Sequence, residues 1–251
     1  MKSEFLMLIR DSLKTMLPIL IMGISSCCCC GSDRFKDNKV LWKKLIDDWQ
    51  LAQYEIDYIN QQQGLCCLEC GANIRSIALA ASLMKLLGFQ GLLKDFIQDD
   101  SFHKLQILEI NKAGTLTSWL LQLPGHRLIE YPEYDMMNLP FRSSSFDIVI
   151  HSDTLEHVEH PIRGLSECRR VLQKGTGYCI FTVPLIVDRL TRTRYGLPPS
   201  YHGVESNLQN DHLVFTEYGA DAWVQVIKAG FSECRIISHD FPASNVLVGV
   251  A

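Results

Sequence analysis

Residues 135–184 read DMMNLPFRSSSFDIVIHSDTLEHVEHPIRGLSECRRVLQKGTGYCIFTVP, and this stretch decides the fold. Phe146 to Ile150 (FDIVI) is a short, nearly unbroken apolar run, the pattern of a strand buried on both faces. Thr154 to Leu172 repeats apolar residues at helical spacing and stops before the turn Lys174-Gly175-Thr176-Gly177. Tyr178 to Val183 (YCIFTV) is another such strand, stopped by Pro184. Strand, helix and strand in that order are the unit of a parallel sheet.

The same grammar extends outward in both directions. Upstream, Leu105 to Ile110 reads as a buried strand, Gly114 to Leu123 as a helix ended by Pro124-Gly125, and Arg127 to Tyr131 as a short strand. Downstream, residues 185–215 are polar and rich in Arg, Pro and Gly, a long loop or cap. Glu217 to Lys228 reads as a helix ended by Gly230. Arg235 to Ser238 and Val246 to Val250 are closing strands with no helix between them, which predicts an antiparallel edge. Before residue 104 the pattern is helical: Val40 to about Gln62, then Ser76 to Leu87, closed by Gly88. The expected fold is α/β: a Rossmann-like, mostly parallel sheet with helices on both faces and an antiparallel closing strand, preceded by an N-terminal helical, cysteine-rich segment. The expected division is 1–103 for that segment and 104–251 for the α/β domain, with 185–215 as its cap or lid.

Composition narrows the function classes. Hydrophobic residues make up 47% and charged residues 21%, which excludes long disorder and collagen-like structure. A net charge of −4 argues against a global electrostatic grip on nucleic acid, though a local patch would suffice. No apolar stretch is long enough to span a membrane. At the start, Lys2, Arg10 and Lys14 precede the apolar run Met16 to Ile24 and then Ser25-Ser26-Cys27, which faintly resembles a lipoprotein signal. Glu4 and Asp11 oppose that reading and favour an amphipathic helix interrupted at Pro18. Seven of the ten cysteines fall in two clusters, Cys27 to Cys30 and Cys66, Cys67 and Cys70. Clusters suit a metal site in a reducing compartment, hence a cytoplasmic protein, better than a disulfide framework.

The stretch quoted first resembles class I S-adenosylmethionine-dependent methyltransferases, of the methyltransferase type 11 kind. The likeness rests on Asp135, Leu139-Pro140-Phe141, Ser145-Phe146-Asp147, Leu155-Glu156-His157, Arg170-Val171-Leu172 and the glycine turn at 175 and 177, in the family's order. It covers roughly residues 105–250, and Ala229-Gly230-Phe231 fits as well. The resemblance implies a methyl donor bound at the carboxyl ends of the strands, where an open parallel sheet takes its ligands. The implied cofactor residues are Glu109, Asn111, Ala113, Gly114, Glu130, Asp135 and Leu139.

Two departures stand out. The family's glycine-rich first loop is here Leu108-Glu109-Ile110-Asn111-Lys112-Ala113-Gly114, in which only Gly114 survives; Asn111 is a residue that also tolerates positive φ. Only 26 residues separate Glu109 from Asp135, so a helix and a strand are missing or shrunken. Asp135 is then either the adenine-side acid or a stand-in for the ribose acid, with Glu130 competing for the ribose role.

For chemistry, His151, Asp153 and His157 cluster after the FDIVI strand, where the acceptor should sit. The alternatives are helix capping by Asp153 and a structural hydrogen bond by His157. Arg189, Arg192 and Arg194 could grip an anionic acceptor or form a solvated face, and Tyr201, His202, Asp211 and His212 share that cap. Cys27-x-x-Cys30-Gly31 and Cys67-x-x-Cys70-Gly71 look like paired zinc knuckles, and Arg75 follows them as in some methyltransferases of this group. A run of four cysteines contains Cys-x-x-Cys automatically, so buried, acylated or redox thiols stay open. The expected function is transfer of a methyl group from S-adenosylmethionine to an unidentified acceptor. The alternatives are an inactive methyltransferase-like scaffold and a nucleic-acid modifier.

Overall fold

The apolar runs read as strands pair into one six-stranded sheet in the computed structural model, which describes residues 25–201, 213–239 and 244–251. Ahead of it, β1 (Phe35–Lys36) and β2 (Cys66–Cys67) pair antiparallel. Helices α1 (Lys43–Trp49), α2 (Gln53–Gly64), α3 (Ile74–Leu86) and α4 (Leu93–Gln98) complete the N-terminal part.

The main sheet holds β3 (Ile107–Ile110), β4 (His126–Ile129), β5 (Ile148–Ser152) and β6 (Tyr178–Thr182), all parallel, then β10 (Glu233–His239) and β11 (Ser244–Val250). Their order is β4-β3-β5-β6-β11-β10, and β11 runs antiparallel to both β6 and β10. That is the predicted mostly parallel sheet with an antiparallel closing edge. Helices α5 (Leu116–Leu120), α6 (Pro161–Val171) and α7 (Trp223–Lys228) make the connections. Between Ile129 and Ile148 there is neither helix nor strand, so the compression read from the sequence leaves β4 at the sheet's rim.

Alternation along each strand sends side chains to two cores. Ile107, Ile148, Ile150, Ile180, Val246 and Val248 pack with α3 and α4; Leu108, Val149, Phe181 and Leu247 pack with α6 and α7. Ile77, Leu79 and Leu83 of α3 are fully buried, each contributing roughly 1.5–3 kcal/mol by leaving water. Leu83→Ala would therefore cost about 2–5 kcal/mol. One core thus runs continuously across residue 103. A third cluster joins Leu45, Trp49 and Leu51 to Ile186 and Val214, pinning the first two helices to the segment after β6.

Four stretches differ from expectation. The helix over 40–62 is two helices, because Gln50 takes φ 49° and closes α1. The helix over 154–172 is a single 3-10 turn, Leu155–His157, followed by α6; Pro161 at its start lacks an N–H and holds the preceding residue out of helical geometry. Glu217 and Tyr218 are not helical but lie in β9 (Thr216–Gly219), buried at all four positions. The cap contains structure: β7 (Leu185–Ile186) and β8 (Arg192–Thr193) flank β9 in a small sheet. The segment through residue 24, read either as a signal or as an amphipathic helix, and His202, Asp211 and His212 lie outside the described residues. Among those described, no helix is long and apolar enough to cross a membrane.

Candidate functional site

The chain runs from β3 to β4 on one side and then crosses back to β5 on the other side of β3, and this reversal is where an open parallel sheet forms its crevice. A cleft of about 920 Å³ lies at these strand ends. It is lined by Ile110 at the end of β3 and Asn111 after it, Glu130 after β4, Ser152 and Asp153 at β5, and Pro184 after β6.

Of the residues read as cofactor ligands, Asn111, Gly114, Glu130 and Asp135 line this cleft. Asn111 adopts φ 56° and Gly114 φ 60°, so an asparagine supplies the left-handed turn that glycine usually makes. The Asn111 carboxamide oxygen accepts from the Tyr131 N–H at 2.9 Å, tying the β3 loop to the β4 loop. A Cβ on residue 114 would stand 2.9 Å from Ser76 Oγ, so a side chain there would close the gap. Glu130 stands 3.4 Å from Lys112, and Asp135 accepts from the Met137 N–H at 2.8 Å.

Glu109, Ala113 and Leu139 do not line the cleft, and each is buried. The Glu109 carboxylate accepts from the Ala113 N–H at 2.8 Å and from Thr117 Oγ1, and it meets His126 Nε2 at 2.7 Å. It fixes the loop from beneath. Leu139 donates its N–H to Glu167, whose carboxyl is held low by the Arg170 guanidinium beside it.

Among the residues read as catalytic, Asp153 and His157 face the cleft and His151 does not. His151 is fully buried and stacked on Phe181, centroids 4.6 Å apart, and neither ring nitrogen has a hydrogen-bond partner among the described residues. Burial pushes its pKa down to about 3, so the ring is neutral. Alternation along β5 explains the placement: Ser152 reaches the cleft while His151 points into the core below α6. His157 Nδ1 donates to the Leu213 carbonyl at 2.9 Å, which places the lone pair of the neutral ring on Nε2. The Glu156 carboxylate lies 3.7 Å from that nitrogen and also lines the cleft. Asp153, with φ 45°, pairs with Arg75 and accepts from Gln63 at 3.1 Å.

Gln63, Arg75, Ser76, Ser152 and Glu156 are cleft residues outside the set read from the sequence. Arg75 carried a signal, its position just after the second knuckle. Gln63 and Ser76 carried none.

The arginine-rich cap does not offer a free anion grip. Arg189 makes a two-pronged bond to buried Glu55, both contacts 2.6 Å, and also donates to the Trp49 and Gln50 carbonyls. Arg192 and Arg194 share Glu217. Each of the three guanidiniums is thus paired with a carboxylate, Arg192 while half-exposed.

The two cysteine knuckles superimpose in their bonding. Gly31 N–H donates to Cys27 O and Gly71 N–H to Cys67 O; Cys27 N–H donates to Ser32 O and Cys67 N–H to Ala72 O. Both glycines have left-handed φ, 91° and 72°. The sulfurs of Cys27, Cys30, Cys67 and Cys70 lie within 4.8 Å of one another, with Cys27–Cys70 at 3.7 Å and Cys30–Cys67 at 3.6 Å. Sulfurs about 2.3 Å from a tetrahedral zinc stand about 3.8 Å apart, so the set fits that ion. Cys27 is held down at about 4, chiefly by hydrogen bonding from the Cys29 thiol, while burial pushes Cys70 up. Crowded thiolates repel, and a divalent cation at their centre removes the conflict.

No curated protein matches the chain. Similar solved structures include a methyltransferase of Thermotoga maritima described as a possible histamine N-methyltransferase, 17% identical over 70% of this chain and 96% of that one, TM-score 0.36. They also include the trans-methyltransferase CalH with SAH (14%, 79% and 59%, 0.42) and PigF with SAH (20%, 62% and 53%, 0.37). The family model described as a methyltransferase domain matches residues 106–181. That segment carries the four parallel strands and most of the polar residues of the cleft, and it is similar to methyltransferase domains.

Proposed function

We propose that the chain moves a methyl group from S-adenosylmethionine to an acceptor held in the same cleft, and that zinc on Cys27, Cys30, Cys67 and Cys70 fastens the N-terminal segment beside it. The observation that carries the reading is convergence: Asn111 and Gly114 after β3, and Glu130 and Asp135 after β4, line one cleft at the strand ends. The left-handed backbone at Asn111 and Gly114 suits close passage of a ligand.

In this reading Glu130 accepts from ribose hydroxyls and Asp135 from the adenine amino group. Glu109 positions the loop without touching the ligand. The cofactor supplies a methyl group activated by its positive sulfur. The protein's work is alignment and proton handling. Where the acceptor atom carries a proton, His157 takes it at Nε2, and the Glu156 carboxylate stabilises the resulting imidazolium. The Arg75–Asp153 pair holds the β5 end against α3. Zinc acts as a cross-link between the knuckles. All ten cysteines are free thiols, which suits a reducing compartment such as the cytoplasm.

The scaffold alternative rests on the reduced glycine loop. The left-handed Asn111 weakens it, since the turn is kept without the glycines. Calorimetric titration with S-adenosylmethionine and S-adenosylhomocysteine, with metal assayed on the same sample, tests both. Micromolar binding is expected. Folded, zinc-loaded protein that binds neither compound would replace the enzyme with the scaffold.

A further inference from the structure

We infer that the acceptor is a small, largely apolar molecule carrying no negative charge, of the hydroxylated aromatic class, seated against Trp42, Leu45, Trp49, Ile59, Leu213 and Phe215. The inference rests on the methyltransferase reading of the cleft and adds the chemistry of its second occupant. All six residues line the cleft, and those from α1, α2 and the turn before them pack into one cluster with Ile186 and Val214. They therefore form a continuous wall rather than scattered apolar contacts. At about 920 Å³ the cleft stands near the top of the range of roughly 300–1,000 Å³ for one drug-sized ligand, leaving room beside a cofactor. Half-buried Trp42, backed by buried Trp49, gives the wall flat, rigid apolar area, the surface that aromatic rings stack against.

Charge sets the second half of the specificity. The lysine and arginine that line the cleft, Lys112 and Arg75, are each paired with a cleft carboxylate, Glu130 and Asp153. The cap arginines are taken by Glu55 and Glu217. Glu156 and Glu159 also line the cleft. An anion would meet carboxylates, and at Arg75 a part-buried cation already paired with Asp153, a costly exchange. A hydroxyl would instead find His157 and Glu156.

The test uses the full chain, zinc-loaded and saturated with S-adenosylhomocysteine, titrated calorimetrically with 2-naphthol and with 2-naphthyl phosphate. Naphthol should bind at least tenfold tighter than its phosphate. Trp42→Glu and Ile59→Asp, each confirmed folded by thermal unfolding, should weaken naphthol at least tenfold while changing S-adenosylhomocysteine affinity less than twofold. Equal or tighter binding of the phosphate overturns the inference. So does naphthol binding that is absent, indifferent to both variants, or displaced by S-adenosylhomocysteine. If S-adenosylhomocysteine fails to bind while naphthol keeps this pattern, the cofactor reading falls alone and the apolar site stands.

Discussion

Arg75 and Asp153 form an ion pair in the wall of the cleft, joining the first turn of α3 to the end of β5. Their side chains are 17% and 21% exposed, and Arg75 Nε and Asp153 Oδ1 are buried without hydrogen-bond partners among the described residues. Removing either partner leaves the other charge stranded in a poorly solvated place. Arg75→Met should lower the melting temperature by several degrees and weaken S-adenosylhomocysteine at least tenfold. A double-mutant cycle with Asp153→Asn should return a coupling of about 1–3 kcal/mol. A coupling near zero would show that the pair is an incidental contact.

Metal should reach the cofactor site through three residues of backbone. The second knuckle ends at Cys70; Asn73 then caps α3 through Ser76 N–H, and Ser76 Oγ donates to the Ala113 carbonyl at 3.4 Å. Chelation of the ion should therefore lower thermal stability and weaken S-adenosylhomocysteine together. Metal analysis should give one zinc per chain, lost in Cys30→Ser and kept in Cys28→Ala, since Cys28 instead donates to Ile77 O. Retained zinc in Cys30→Ser would remove this cysteine from the ligand set.

His151 makes a pH prediction with a definite sign. In the folded chain its pKa is pushed down to about 3, while an unfolded histidine titrates near 6.5. Between those values the unfolded chain binds the extra proton, so stability rises with pH across that window and is lost as pH falls through it. His151→Phe should flatten the slope by about 1.4 kcal/mol per pH unit and, by removing two unsatisfied nitrogens, hold or raise stability at neutral pH. Methyl transfer by this variant should stay near wild type. Its collapse in a stably folded protein would restore His151 to the chemistry.

Glu130 and Asp135 should separate by ligand rather than by overall loss. A hydrogen bond to a charged group is worth about 1.5–3 kcal/mol, so Glu130→Ala should cost roughly ten- to hundredfold in S-adenosylhomocysteine affinity. Asp135→Asn should chiefly narrow the preference for S-adenosylhomocysteine over S-inosylhomocysteine, which lacks the adenine amino group. If Glu130→Asn narrows it and Asp135→Asn does not, the two assignments exchange.

The sheet was legible because strands buried on both faces are apolar at every position, as in Ile148 to Ile150 or Val246 to Val248. The carboxylates of the site were legible for a related reason: a strand-end position fixes where a residue sits before any contact is known. What escaped depends on partners distant in sequence. The cap arginines resembled an anion grip because Glu55 and Glu217 could not be seen opposite them. Glu217 was itself misread, since a buried four-residue strand inside an apolar window carries no period that separates it from a helix. Ser76 reaches the cleft because α3 lies on the sheet, a tertiary fact that no local pattern announces.

The shortened connection from Ile129 to Ile148 has a consequence for how these molecules coexist at high concentration. It leaves β4 as a rim whose outer backbone could template pairing with another chain. The strand is four residues long, and exposed Arg127 lays its guanidinium 4.6 Å over the Phe141 ring. A short rim carrying a fixed charge is a poor template for intermolecular sheet growth, so this edge carries its own guard against aggregation.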